Sequence, residues 1–265
     1  MNKKPKTILI GFIILMIPLL ISFKWRKYMG ETGIIVFLIF TGIVFLAAFI
    51  PVCRKIRDRK LLSTVTPTFR GTKSERSLIL KLLKHGIPAQ TIFHDLCVQK
   101  SNGAFSQIDA VVATTEGIIV FEVKDYSGWI YGNGRYTNWT KVLAYGKQKY
   151  RFYNPIKQNK GHIIALKRQL PQFKNIPFFS VIVFYGDCEL KEIDYVPEGT
   201  YLVKPARVLE VLNLIRRNNE AAPYTDKHAV VSALQKAVDD GENIGIQEEH
   251  VENIHDLVGK HRIFD

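Results

Sequence analysis

Residues 107–125 read QIDAVVATTEGIIVFEVKD, and this stretch decides the fold. Its two apolar runs, 107–113 and 118–124, alternate polar and apolar residues at their outer ends, which is typical of strands. The residues between them, 114–117, are a turn signal that ends in glycine. Because a turn this short joins antiparallel neighbours, the sequence predicts a β-hairpin whose two outer ends lie side by side.

The outer ends of this hairpin carry charged residues of both signs. With the turn centred near residues 115 and 116, Asp109 lies opposite position 122, and cross-strand neighbours are about 4.5–5.5 Å apart. Lys124 follows Glu122 by two residues and therefore points to the same face. Two carboxylates suit a hard divalent ion, Mg²⁺ or Mn²⁺, and an ammonium beside them could orient the attacking water in phosphodiester hydrolysis. The alternative is a solvent-facing set of ion pairs, each worth about 0–1 kcal/mol.

The segments on either side of the hairpin predict a helix and a strand before it and a helix and a strand after it. Apolar residues at helical spacing predict a helix over 76–84, ended by Gly86 and Pro88, and alternation predicts a strand over 91–99. Residues 128–139, rich in Gly, Asn and aromatic residues, are interpreted as a loop or short hairpin. The remaining predicted elements are helices over 154–170, 206–217, 227–237 and 250–258, a buried strand over 178–185 and a strand over 201–203.

The ordered set of residues around the hairpin resembles the PD-(D/E)xK nuclease signature, and more specifically the nuclease-related domain called NERD. The resemblance covers about residues 70–180, and Ile108 stands where the superfamily name has proline. The matching positions are Gly71, Glu75, 107–109, 117–124, Gly128, Trp139 and the motif Asn154-Pro155-Ile156-x-Gln158-Asn159. The resemblance implies an α/β fold with a restriction-endonuclease-like core, made of a helix, a three-strand meander, a helix and a strand.

The resemblance also implies roles for individual residues. Asp109 and Glu122 match the metal-binding carboxylates, and Lys124 matches the catalytic lysine. Glu75 matches an acidic residue that can complete the metal site, and Gln158 matches a glutamine that often lines it. Glu75 has a second explanation as an acid in the first turn of a helix, and Gln158 as a capping or surface residue. No role is assigned to three isolated histidines, His85, His94 and His162.

Residues 1–60 contain two long apolar runs, Ile8 to Phe23 and Ile34 to Cys53. A helix needs about 20 residues to cross a bilayer, which the second run supplies and the first approaches. The segment between them, 24–31, is short and polar, so the sequence predicts a membrane hairpin of two helices. Lys and Arg are more frequent in the two outer flanks than in this segment, which favours a cytoplasmic domain attached to the cell membrane. The alternative for the first run is a signal peptide, although no small-residue cleavage pattern follows it.

The net charge of +13 is distributed unevenly along the chain. Residues 1–60 and 61–170 carry net charges of +9 and +10, whereas residues 171–265 carry −6. The second basic region interleaves basic and aromatic residues, as a surface that contacts phosphates and stacks on bases would; lipid contact and a plain solvated face are the alternatives. The candidate nucleic-acid-binding residues are Lys141, Lys147, Lys149, Arg151, Lys157 and Lys160, with the aromatic residues Tyr145, Tyr150, Phe152 and Tyr153 among them.

These observations predict four segments: a membrane hairpin (1–60), a linker (61–70), a nuclease-like core (71–185) and a mostly helical acidic region of unassigned role (186–265). Three cysteines without metal-type spacing argue against a zinc site or a disulfide scaffold. The expected function is metal-dependent hydrolysis of DNA by a membrane-anchored enzyme. One alternative is a weakly active or inactive nuclease fold that binds nucleic acid or a protein partner at the membrane, and another is a structural membrane protein.

Overall fold

The computed structural model describes residues 4–143 and 146–242, with side chains from residue 30 onward. Tyr145 and the predicted helix over 250–258 lie outside the described residues. The chain divides into two compact units, residues 1–60 and residues 61–265.

The N-terminal unit is helical along its described backbone. Helix α1 spans Lys4–Leu62 and is interrupted at Gly30, whose φ of 59° and ψ of 172° are not helical. The predicted polar connection over 24–31 is therefore wrong in its extent, because the backbone stays helical up to a break at one glycine. Glycine adopts a positive φ without the steric cost that a Cβ imposes, so one residue is sufficient for the break.

One helix in the part of the chain with described side chains is long and apolar enough to cross a membrane. It covers Gly30–Leu62, 33 residues, and includes the predicted second run. The first run, Ile8 to Phe23, has a helical backbone but lies outside the residues whose side chains are described. A second crossing therefore stays a prediction.

The described part of the second unit alternates helices and strands around two sheets. Its helices are α2 (Lys73–Lys84), α3 (Pro155–Leu166), α4 (Val208–Asn218) and α5 (Lys227–Glu242). Its strands are β1 (Ile92–Gln99), β2 (Phe105–Ala113), β3 (Ile118–Asp125), β4 (Gly128–Asn133), β5 (Asn138–Leu143), β6 (Gln148–Tyr153), β7 (Phe178–Tyr185), β8 (Cys188–Asp194) and β9 (Thr200–Val203). Helix α3 ends at Leu166, a few residues before the predicted end near residue 170.

The main sheet has five strands in the order β1-β2-β3-β7-β9. Strands β1, β2 and β3 form an antiparallel meander, while β7 runs parallel to β3 and β9 parallel to β7. Ala113 pairs with Ile118 and Ala110 with Phe121, which confirms the predicted hairpin and its turn. The mixed α/β architecture agrees with the expected order of helix, three strands, helix and strand.

A second sheet, with the strand order β6-β5-β4-β8, was not predicted. Of the two alternatives for residues 128–139, the short hairpin is confirmed, because β4 and β5 pair antiparallel across a short turn, and the loop is wrong. The glycines that suggested a loop have a packing role: a Cβ at Gly132 would lie 2.2 Å from the Trp139 ring. Strand β6 was not predicted because it is mostly exposed, and its alternating basic and aromatic residues were interpreted as a surface that contacts phosphates.

Helices cover both faces of the five-stranded sheet. Side chains of α2 and α4 pack on one face, and those of α3 and α5 pack on the other. A third apolar cluster joins the two sheets through Trp139 and the β7 residues Ile182 and Phe184. Since β9, α4 and α5 all contribute buried side chains, the acidic region after residue 185 is part of the fold as far as residue 242.

Candidate active site

Strands β2 and β3 separate at the charged end of their hairpin. Their regular pairing stops at Ala110 and Phe121. Beyond that point the backbone N–H of Val123 donates to Oδ2 of Asp109 at 2.5 Å. Asp109 therefore lies beside Glu122 as expected, but it binds the backbone of β3 in place of a regular cross-strand pair. The Asp109 carboxylate thus accepts a backbone N–H of β3 at a position where β3 no longer pairs with β2.

Glu122 and Lys124 are mostly withdrawn from solvent and do not form the wet side of a strand. Glu122 is 1% exposed. Its Oε1 lies 2.6 Å from Nζ of Lys124, whose side chain is 16% exposed. Lys124 Nζ also donates to Oε1 of Gln158 at 2.9 Å. The three residues thus form one connected polar group on the face that helix α3 covers.

Helix α3 is held against the sheet by two buried asparagines. Asn154 caps its first turn through Oδ1, which accepts the backbone N–H groups of Ile156 and Lys157. Asn159 reaches the sheet, where its Nδ2 donates to the Val120 carbonyl at 2.9 Å and to Ser180 Oγ at 2.8 Å. These contacts set the depth and rotation of α3, and hence the position of Gln158.

The same helix brings His162 to the site, which the sequence analysis missed. His162 is 3% exposed, and its Nε2 lies 3.1 Å from Oε2 of Glu122. Its Nδ1 lies 2.9 Å from Oγ of Ser106 on β2. A usable signal was present in the sequence, because His162 follows Gln158 by one helical turn and shares its face.

Glu75 has a matching arrangement at the start of α2. Its Oε2 lies 3.3 Å from Nε2 of His94, and Nδ1 of His94 lies 2.9 Å from Oγ1 of Thr66. Its Oε1 accepts a hydrogen bond from the hydroxyl of Thr72, the N-cap of α2, at 2.6 Å. His94 is therefore a second histidine that contacts a candidate site carboxylate, contrary to its isolated appearance in the sequence.

The neighbouring charges shift the pKa values of these acids in opposite directions. Burial raises the pKa of Asp109 well above its usual range, and the negative charges of Glu122 and Glu75 add to the rise. Burial alone would also raise the pKa of Glu122, but the hydrogen bond from His162 and the charge of Lys124 outweigh it and lower that pKa. For Glu75, hydrogen bonds from His94 and Thr72 likewise outweigh burial and lower the pKa.

Lys124 keeps its charge despite its position. Burial alone would lower the pKa of its ammonium, but the charge of Glu122 and the hydrogen bond between them outweigh that effect and raise the pKa. At neutral pH the site therefore contains an ammonium and the carboxylates of Glu122 and Glu75, with Asp109 as the acid that holds its proton most strongly.

The ligand chemistry of Asp109 and Glu122 fits a hard divalent cation. Both supply carboxylate oxygens, and a cation near Asp109 would offset the burial and the repulsion that together raise its pKa. The ion would compete with Lys124 for Oε1 of Glu122. Within residues 30–143 and 146–242, no group of three or more His, Cys, Asp or Glu side chains is arranged to hold a metal ion. A cation here would therefore use these two acids and water as ligands.

The candidate nucleic-acid-binding residues are spread over several surfaces. Lys141 on β5 lies opposite Tyr150 of β6, and its Nζ is 5.0 Å from the ring centre of Tyr126 and 5.5 Å from that of Tyr150. Alternation along β6 directs Lys149 and Arg151 to the other side of that strand. The remaining candidates are elsewhere: Lys147 is in the turn before β6, and Lys157 and Lys160 are on α3. The tertiary structure divides what the sequence presents as one basic stretch.

Comparison with known proteins places these residues in a family context. Residues 70–185 match the family model described as NERD, the nuclease-related domain. A relative from Bacillus anthracis, an uncharacterized protein, is 28% identical over 152 residues, which cover 57% of this chain and 67% of the relative. No solved structure matches the chain. The similarity to nuclease-related domains therefore spans every side chain of the candidate site except Thr66.

Proposed function

We propose that this protein is a membrane-anchored, metal-dependent nuclease that hydrolyses phosphodiester bonds in DNA. One observation carries the proposal: Asp109, Glu122, Lys124 and Gln158 converge where β2 and β3 separate. Two acids, a buried ammonium and an amide that holds it are the groups that phosphodiester hydrolysis needs. The similarity of residues 70–185 to the nuclease-related domain supports the same reaction class.

Each residue has a defined role in the proposed reaction. Asp109 and Glu122 would hold Mg²⁺ or Mn²⁺, and Glu75 adds a further negative charge near Asp109. When bound, the ion would polarise the phosphate and lower the pKa of a coordinated water. Lys124 places its ammonium where negative charge develops on the phosphate, and Gln158 orients that ammonium from α3.

The proposed substrate contact follows from charge. Lys141, Tyr126 and Tyr150 form a cation–aromatic group, and Tyr126 follows Lys124 by two residues on β3 and its exit. A phosphate backbone can pair with the ammonium while a base stacks on an exposed ring. The described residues contain no pattern that reads base edges, so we expect DNA cleavage with little sequence preference.

Membrane anchoring is the remaining part of the proposal. Helix Gly30–Leu62 supplies one crossing, and the apolar run Ile8 to Phe23 supplies the second. The basic residues that flank the pair favour both ends, and therefore the nuclease-like domain, on the cytoplasmic side.

A second candidate function is a nuclease fold that binds nucleic acid or a protein partner with little turnover. The observation in its favour is that both oxygens of Glu122 are already engaged, by Lys124 and by His162. In that function the Lys124 ammonium stays bound to Glu122, and no metal ion replaces it.

Cleavage of DNA by the purified full chain in detergent separates the two functions. We expect Mg²⁺-dependent cleavage that EDTA abolishes and that falls by about 100-fold or more in Lys124→Ala and in Asp109→Ala. Matched controls are Lys236→Ala and Asp239→Ala, which remove the same residue types from exposed positions on α5 and should leave the rate unchanged.

The results of the binding and cleavage assays distinguish the two candidate functions. DNA binding without cleavage supports the second function, and the absence of both binding and cleavage contradicts both. Cleavage that persists in Lys124→Ala and Asp109→Ala contradicts the proposed site.

A further inference from the structure

We infer that His162 is a positioning residue, which fixes one oxygen of Glu122 so that the other stays directed at the cation. The inference rests on the proposed function, since the cation is the Mg²⁺ or Mn²⁺ ion proposed there. The two oxygens of the Glu122 carboxylate would thus have different roles: one binds His162 and the other binds the cation.

The two oxygens of Glu122 have different partners. Oε2 faces the imidazole of His162 at 3.1 Å, and Oε1 faces the ammonium of Lys124 at 2.6 Å. His162 is buried on a helix that is anchored to the sheet, whereas Lys124 has a long, flexible side chain that is 16% exposed. An incoming cation can therefore displace Lys124 from Oε1, but it meets a fixed donor at Oε2.

The imidazole is itself held from its far side. An ionised carboxylate only accepts hydrogen bonds, so Nε2 of His162 carries the hydrogen and donates it in a hydrogen bond to Oε2 of Glu122. In the neutral ring Nδ1 then accepts from the hydroxyl of Ser106, 2.9 Å away and only 4% exposed. A hydroxyl, an imidazole and a carboxylate thus follow one another in a buried line, which fixes both the ring orientation and its tautomer.

The same sequence of groups occurs at Glu75, another acid of the site. Thr66, His94 and Glu75 repeat the order of hydroxyl, imidazole and carboxylate, with distances of 2.9 and 3.3 Å. Asp109 is held by the backbone N–H of Val123. Glu122 and Asp109, the two proposed ligands, therefore each have one oxygen bound to a fixed donor, as expected of metal ligands that their surroundings hold in place.

Two variants of His162 test the inference through Mn²⁺ affinity, measured by calorimetry on the full chain in detergent. In His162→Gln the amide nitrogen can take the place of Nε2 and still donate to Glu122. In His162→Asn the shorter side chain can take the place of Nδ1 and bind Ser106, but it does not reach Glu122. We expect the Gln variant to bind Mn²⁺ nearly as tightly as the wild type and the Asn variant to bind about 10- to 100-fold more weakly.

Melting temperature shows whether each variant is folded. If the Asn variant does not fold, Ser106→Ala carries the test, because it loosens the imidazole without removing it, and we expect a several-fold loss of affinity. Equal Mn²⁺ affinity in the folded Asn and Gln variants, or an unchanged affinity in Ser106→Ala when it carries the test, overturns the inference.

The experiment also separates this inference from the proposed function. A wild type that binds no Mn²⁺ contradicts the proposed metal site and the inference together. A different result separates them: the wild type binds Mn²⁺ but cleaves no DNA, and His162→Asn binds Mn²⁺ more weakly. That result supports the positioning role of His162 and contradicts the nuclease function alone.

Discussion

Asp109 and Glu122 are neighbouring acids whose surroundings shift their pKa values in opposite directions. Glu122 is compensated by Lys124 and His162, so its pKa lies below the usual value in spite of burial. Burial and the nearby charges of Glu122 and Glu75 outweigh the hydrogen bond from the Val123 backbone at Asp109, so its pKa is raised well above the usual value. Of these two acids, Asp109 is therefore the one whose ionised form the proposed cation would stabilise more.

The raised pKa of Asp109 predicts a pH-dependent loss of stability. Between the ordinary pKa of aspartic acid and the raised value, the folded protein keeps a proton that the unfolded chain has released, so stability falls as pH rises through this window. Asp109→Asn removes the charge and keeps an oxygen for the Val123 N–H. Without divalent ions, we expect the free energy of unfolding of this variant at neutral pH to exceed that of the wild type by about 1 kcal/mol or more.

Urea unfolding of both proteins from pH 4 to pH 8 measures this difference. The wild type should lose stability relative to Asp109→Asn as pH rises, and the two should converge towards pH 4. Asp239→Asn, at an exposed position on α5, is the matched control. Parallel stability curves for the wild type and Asp109→Asn would rule out a raised pKa for Asp109.

Helix α3 is the element that connects the two sheets to the site. Its N-cap, Asn154, is fully buried and also donates from Nδ2 towards three carbonyls of the β4–β5 turn, those of Asn133, Gly134 and Tyr136, at 3.2, 3.2 and 2.7 Å. The predicted helix start at Asn154-Pro155 is therefore confirmed. The side chain has a second task, which is to bind the helix to the four-stranded sheet.

Asn154 is therefore expected to contribute to stability beyond its capping role. Asn154→Ala removes the cap and leaves buried carbonyls without their donor, and we expect it to lower the free energy of unfolding by about 2–4 kcal/mol. Asn154→Asp keeps a capping oxygen but replaces the Nδ2 donor by a carboxylate oxygen that faces the carbonyls of the turn. Urea unfolding at neutral pH should place Asn154→Asp below the wild type, and equal stability of these two proteins would show that the contacts to the turn contribute nothing.

At the scale of the whole molecule, the chain combines an apolar helical unit with an α/β unit. The α/β unit buries its apolar side chains in three clusters. Helix Gly30–Leu62 instead exposes large apolar side chains such as Phe40 and Val44, at 65% and 50%. An aqueous environment does not favour such a surface on this scale, and a bilayer does.

We therefore expect the full chain to stay with the membrane fraction after an alkaline wash. Replacing both Phe40 and Val44 by Lys should release a large share of the protein, since a charged residue near the bilayer centre costs about 2.5–3.5 kcal/mol. The same two positions changed to Leu form the matched control and should behave as the wild type. Quantitative immunoblotting of pellet and supernatant measures the distribution, and release of the wild-type chain by the wash would contradict membrane anchoring.

The sequence by itself determined the features that depend on neighbouring residues. The short turn at 114–117 was sufficient to predict the hairpin of β2 and β3, and with it the approach of Asp109 to Glu122 and Lys124. Helical spacing and capping residues likewise located α2 and the start of α3, and the length of an unbroken apolar run located the helix that follows Gly30. The hairpin and α2 follow from local periodicity, because a strand repeats every two residues and a helix every 3.6.

Only the tertiary structure decided which distant residues meet. His162 and His94 are isolated in the sequence, and they reach Glu122 and Glu75 because α3 and β1 pack beside those acids. The second sheet was also hidden, since its edge strand β6 is mostly exposed, and its alternating basic and aromatic residues are equally typical of a solvated basic surface. The contacts that hold each carboxylate in place come from separate elements, so they arise from packing, which local periodicity does not encode.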